Sequence, residues 1–133
     1  MNVDRSLVVI DAGLAFEPNI QAAARCLLGA QYRLVLAGDG AGEATTAWEA
    51  CGVPAQPMEG AGFGALAGAL RPAIAIALPG VDIPESIPNR LCWSPEAKSR
   101  YTEGVDQVTD AAAWVRDYLA PRVPRHFSEQ TKP

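Results

Sequence analysis

A chain of 133 residues is the size of one domain, since domains run to roughly 100–200 residues and a division would leave two cores too small to hold. Apolar residues make up 49% and charged residues 20%, with a mean hydropathy of +0.04, so the chain can bury a core and is not of the disordered class. Lys and Arg number 11 against 15 Asp and Glu, and the resulting net charge of −4 gives no footprint for a phosphate backbone or an anionic lipid. Nucleic acid and membrane surfaces are set aside as partners. Residues 1–121 read as a single α/β domain and 122–133 as a flexible polar tail punctuated by prolines.

The apolar run from Ser6 to Phe16 follows Arg5, but Asp11 interrupts it and no small-residue cleavage site follows, so it reads as a strand and not as a signal segment. From Ala65 to Pro84 the apolar stretch is broken by Arg71, Pro72, Pro79 and Asp82, short of the roughly 18 uncharged residues that a membrane span needs. Cys26, Cys51 and Cys92 are odd in number, widely spaced and set among apolar neighbours, as expected of small buried thiols in a reducing cytoplasm. No Cys-x-x-Cys occurs and the single histidine, His126, lies in the tail, so no metal site is expected.

In chain order, Leu7-Val8-Val9-Ile10 is continuous and apolar without alternation, the pattern of a strand buried on both faces of a parallel sheet. Pro18 can open a helix in which Ile20, Ala23, Ala24, Leu27 and Leu28 recur at three- and four-residue steps until Gly29. Tyr32 to Ala37 is a second strand, entered near Arg33 and ended by Gly38-Asp39-Gly40. Ala44, Ala47, Trp48 and Cys51 share one face of the next helix, which Gly52 closes. Val53 to Met58 carries two prolines, so a third strand there is short or peripheral. Phe63, Leu66, Ala67 and Leu70 keep helical spacing, Pro72 ends that helix, and Ala73 to Leu78 is another unbroken apolar run. Pro79 to Pro88 is a proline-rich loop before a brief strand at Arg90 to Trp93. Ser94-Pro95-Glu96 opens a helix that Gly104 ends, Val105 to Val108 is a last short strand, and Ala111, Trp114, Val115, Tyr118 and Leu119 form one face of a terminal helix. Strands and helices alternate at about 25–35 residues per unit, which predicts a doubly wound, Rossmann-like three-layer αβα sandwich on a mostly parallel sheet.

In such a sheet ligands bind at the strand carboxyl ends, where the strand order reverses. Candidate ligand-binding residues are therefore Asp11, Gly38, Asp39, Gly40, Gly60, Gly62, Trp93 and Ser94, with Asp11 the one catalytic candidate. The amides of Gly38-Asp39-Gly40-Ala41-Gly42 precede a helix and could cradle a small anion, although Asp39 would repel a phosphate. Gly60-Ala61-Gly62-Phe63-Gly64-Ala65 fits a loose G-x-G-x-x-A dinucleotide pattern, but the strand before it is the poorest in the chain. Trp48 and Trp114 fall on apolar helix faces and read as core, whereas Trp93 ends a strand. No Gly-x-Ser-x-Gly elbow exists and no histidine is placed to activate Ser86 or Ser94, which excludes a hydrolytic triad.

Two resemblances bear on function. Asp11 stands where phosphatases of the haloacid dehalogenase class keep a nucleophilic aspartate, but Gly13 occupies the place of their second acid, Ala37-Gly38 that of their Ser or Thr, and no later Asp pair follows. A degenerate enzyme of that type is the alternative reading. From the first strand to the helix after Gly60 the chain resembles the amino-terminal domain of electron transfer flavoprotein α subunits. The similarity is carried by Phe16-Glu17-Pro18-Asn19, Gln21-Ala22-Ala23-Ala24-Arg25, Val35-Leu36-Ala37-Gly38 and Gly52-Val53, and further on by Pro88-Asn89-Arg90-Leu91. In that family the flavin is held by a second, carboxyl-terminal domain, which has no counterpart here, so no flavin site is carried over and no cofactor is expected. FAD or a nucleotide belongs only to the alternative reading. The resemblance implies a scaffold or subunit-contact domain, accessory to a flavoprotein electron-transfer system. The leading expectation is a non-catalytic domain that acts through a protein partner or a second copy of itself.

Overall fold

The computed structural model describes residues 4–17, 20–29, 31–78, 80–93 and 105–108, giving only the backbone for residues 22, 26, 92 and 105–108. The elements are β1 (Asp4–Asp11), α1 (Ile20–Gly29), β2 (Arg33–Ala37), α2 (Ala41–Ala50), β3 (Gln56–Met58), α3 (Phe63–Leu70), β4 (Pro72–Ala77), β5 (Asn89–Trp93) and β6 (Val105–Val108). The six strands form one sheet in the order β3-β2-β1-β4-β5-β6, and every neighbouring pair is parallel. The expected doubly wound α/β architecture is therefore present. Its order reverses between β1 and β4.

The unbroken apolar runs have the cause expected of them. Leu7 to Ile10 in β1 and Ala73 to Ala77 in β4 are each at most 4% exposed, because both strands are central and covered on both faces. Alternate residues divide between two cores. On one face Val8, Ile10, Leu36, Ile74 and Ile76 pack with Ile20, Ala23 and Leu27 of α1 and with Ala44 and Trp48 of α2. On the other, Val9, Val35, Ala37, Ala75 and Ala77 pack with Phe63 and Ala67 of α3. Right-handed crossovers account for this division. The chain moves outward from β1 to β3 through α1 and α2 on one face, then returns to β4 through α3 on the other.

Pro72 opens β4 as well as ending the preceding helix, and the first residue of a strand is a position that tolerates proline. Pro57 sits in β3, which is an edge strand. One cysteine departs from expectation. Helix α2 stops at Ala50, so Cys51 is its C-cap and lies exposed instead of on the buried face. The buried polar member of that face is Thr45, whose hydroxyl donates to the Gly42 carbonyl at 3.0 Å. The side chains of Cys26 and Cys92, the helix opening at Pro18, the helix from Ser94, the terminal helix with Trp114 and the tail lie outside the described residues.

At the amino edge of the sheet Arg33 pairs with Asp4 and donates to the Ser6 hydroxyl. Burial pushes the Asp4 carboxyl up, but hydrogen bonds from the Ser6 hydroxyl and amide and the Arg33 guanidinium more than offset it and hold the group below its ordinary value. The stability it contributes is present above the ordinary carboxylate pKa and is lost as the pH falls through the lowered one.

One buried hydrogen bond joins two layers of connections. The indole N–H of Trp48, on α2, donates to the Ala15 carbonyl at 2.8 Å, and both residues are fully buried. Ala15 belongs to the connection between β1 and α1, so α2 holds that connection in place. Trp48→Phe keeps most of the apolar volume and leaves the carbonyl without its donor, which is expected to cost about 1–3 kcal/mol in denaturant unfolding. An unchanged unfolding midpoint would show that this bond does not anchor the connection.

Candidate functional site

The carboxyl ends of β1, β2, β3 and β4 bring several of the sequence candidates to one rim of the sheet. Asp11 ends β1 and caps a single 3-10 turn over Ala12–Leu14, its Oδ1 accepting from the Gly13 amide at 2.9 Å. Only 8% of the residue is exposed. Gly38, after β2, lies beside the same carboxylate, since a Cβ built on it would stand 3.8 Å from Asp11 Oδ1. Asp11 and Gly38 are thus neighbours, as the alignment of Asp11 with Ala37 in the sheet requires.

The switch point between β1 and β4 is occupied by the chain itself. A Cβ on Gly13 would stand 2.8 Å from Leu78 Cδ1, so the leucine that follows β4 lies directly on the backbone that follows β1. The loop that continues from Leu78 is fixed by close packing on α3. Gly64 has Asp82 O 2.8 Å from the place of its missing Cβ, and Gly68 has Pro84 Cγ at 3.5 Å. Small residues on α3 let the loop approach, and the loop in turn carries Val81, Ile83 and Ile87 into the second core.

The glycine turn before α2 is also already served. Gly40 takes a left-handed φ of 82° as the N-cap and offers no side chain to the first amides of the helix. Glu59, the residue after β3, supplies the acceptor, with its Oε2 2.6 Å from the Gly42 nitrogen. A carboxylate at a helix N-terminus is favourable on both hydrogen-bonding and dipole grounds. The amides that could cradle a small anion therefore hold an acid of the same chain, and Gly40 serves the turn by its positive φ. Nothing in the sequence near Asp39 marks Glu59, because only the pairing of β3 with β2 brings it alongside.

The remaining candidates are dispersed. Asp39, Gly60 and Gly62 are exposed, and Gly62 is the N-cap of α3 without a side-chain hydrogen bond. Trp93 is 1% exposed and packed in the first core with Leu91, so it does not present its ring at the strand end. Its indole nitrogen is buried and has no hydrogen-bond partner among the described residues. Ser94 lies outside them. Phe16 closes the turn after β1 and is 70% exposed, the one large apolar side chain left in solvent among the described residues.

Among the described residues no group of three or more His, Cys, Asp or Glu is placed to hold a metal ion. Two residues after Asp11, where a dehalogenase-type site would carry a second acid, Gly13 offers only its backbone amide, already bonded to Asp11. No helix among the described residues is long and apolar enough to cross a membrane. A concavity of about 320 Å³ lies elsewhere, between the ends of α1 and α2 beside the entry of β2, and not at the strand carboxyl ends. Comparison with protein-family models, with curated proteins and with solved structures finds no match.

Asp11 as a turn cap has a measurable signature. Asp11→Ala is expected to lose about 0.5–2 kcal/mol of unfolding free energy, whereas Asp11→Asn, which keeps an acceptor oxygen, stays within a few tenths. A gain in stability in both variants would instead mark the carboxylate as held at a cost for function.

Proposed function

We propose that this chain is a non-catalytic α/β domain that acts by association, with a protein partner or a second copy of itself, through the carboxyl rim of its sheet. One observation carries the reading. The positions at which a doubly wound sheet ordinarily receives a small ligand are filled from within, by Leu78 on Gly13 and by Glu59 on the Gly42 amide, while Phe16 stands in solvent on the same rim. Aromatic side chains, Phe among them, are enriched at interfaces, because they remove a large apolar area from water while fixing few torsions. The accessory role in a flavoprotein electron-transfer system implied by the resemblance is of this kind, and it asks no flavin of this chain. The protein is proposed to work in the cytoplasm.

A second reading keeps one observation in its favour. Asp11 is a buried carboxylate at the end of the central strand beside Gly38, the place a small-molecule or nucleotide site, or a degenerate phosphatase, would use. Glu59 would have to leave the Gly42 amide for an anion to enter the glycine turn.

Sedimentation velocity across a concentration series separates the readings. The wild-type chain is expected to self-associate, or to co-sediment with a defined partner, and Phe16→Asp to abolish this while leaving the unfolding midpoint unchanged. Association of Phe16→Asp equal to that of the wild type contradicts the reading, as does a chain that stays monomeric and saturates with a nucleotide.

A further inference from the structure

The concavity of about 320 Å³ at the amino edge of the sheet reaches the lower end of the volumes that small-molecule sites occupy. Its walls come from Leu28, Tyr32, Leu34, Pro54 and Ala55, an apolar floor between the last turns of α1 and α2. Both helices present their carbonyl ends here, and each such end carries about half a negative charge. Neither helix has a basic residue in its last turn.

Glu49 sharpens the imbalance. It lines the concavity from the last turn of α2, where an acid opposes the helix dipole, and it makes no ion pair among the described residues. Arg33, on the facing wall, is matched already by Asp4 and Ser6. Arg25 donates to the Cys51 carbonyl at 3.0 Å and is not among the lining residues. An apolar recess with one carboxylate that has no ion pair among the described residues, beside the carbonyl end of α1, favours an apolar molecule bearing a positive charge; the end of α2 is already met by Arg25 at its Cys51 C-cap. A side chain set against its local electrostatics, without a compensating partner, is the kind of exception that functional positions produce.

We infer that this recess is a binding site for a small alkyl- or arylammonium ion, its hydrocarbon part on Leu28, Leu34, Pro54 and Ala55 and its ammonium at Glu49. The site lies at the opposite end of the strands from Phe16, so it stands or falls independently of association through the carboxyl rim. Phenethylammonium and the uncharged 2-phenylethanol, titrated separately into the full chain and followed by amide chemical shifts and calorimetry, test it. The ammonium is expected to saturate, to shift the amides around Leu28, Tyr32 and Ala55, and to bind about fivefold more tightly than the alcohol. In Glu49→Gln, an exposed substitution whose fold is checked by circular dichroism, the two probes are expected to bind alike. Equal affinities in the wild-type chain overturn the proposal. So does a preference that survives Glu49→Gln, or the failure of phenethylammonium to saturate at millimolar concentration.

Discussion

Two parallel strands, β1 and β4, lie side by side at the centre of the sheet, with neither face of β1 from Leu7 onward or of β4 open to water, and the rest of the molecule follows from keeping them so. Leu7 to Ile10 of β1 and Pro72 to Ala77 of β4 are apolar at every position, so both stretches need cover on both sides. Helices α1 and α2 supply one layer and α3 the other, as the handedness of the crossovers requires. The same adjacency creates the crevice at which such sheets ordinarily bind their ligands, because β1 and β4 send their following connections to opposite faces.

Here the crevice is closed by the requirements of packing. Leu78 continues the apolar run of β4 by one residue beyond the strand, and the absence of a side chain at Gly13 lets it rest on the opposite connection. Trp48 holds that connection from the α2 side through the Ala15 carbonyl. Glu59 completes the first turn of α2, a helix that begins on glycine and has no capping side chain of its own. These contacts stabilise the rim and occupy its hydrogen-bonding groups, which leaves Phe16 as its most available apolar surface.

Much of this architecture is legible in the amino-acid order. Leu7 to Ile10 and Ala73 to Leu78 declare buried parallel strands, and the three- and four-residue steps of Ile20 to Leu28 and of Phe63 to Leu70 declare the helices that cover them. The two prolines of Val53 to Met58 announce a short edge strand. Cys51 misleads, since its spacing from Trp48 continues the apolar face although the helix has ended at Ala50. Trp93 ends its strand, but period-two alternation with Leu91 places it in the core. The site is far less legible than the fold. Glu59 reaches Gly42 only through the register of β3 on β2, and Leu78 reaches Gly13 only through the adjacency of β1 and β4. Both are contacts between segments distant in sequence, and no local pattern encodes them.

The central claim is that the carboxyl rim of the sheet is filled from within and serves association. Native mass spectrometry of the full chain purified without added ligand tests it most directly, because one spectrum reports both the assembly and anything retained. The account predicts bare polypeptide mass, present as a dimer or in a complex with a second protein. A monomer that carries a stoichiometric nucleotide or flavin would contradict it.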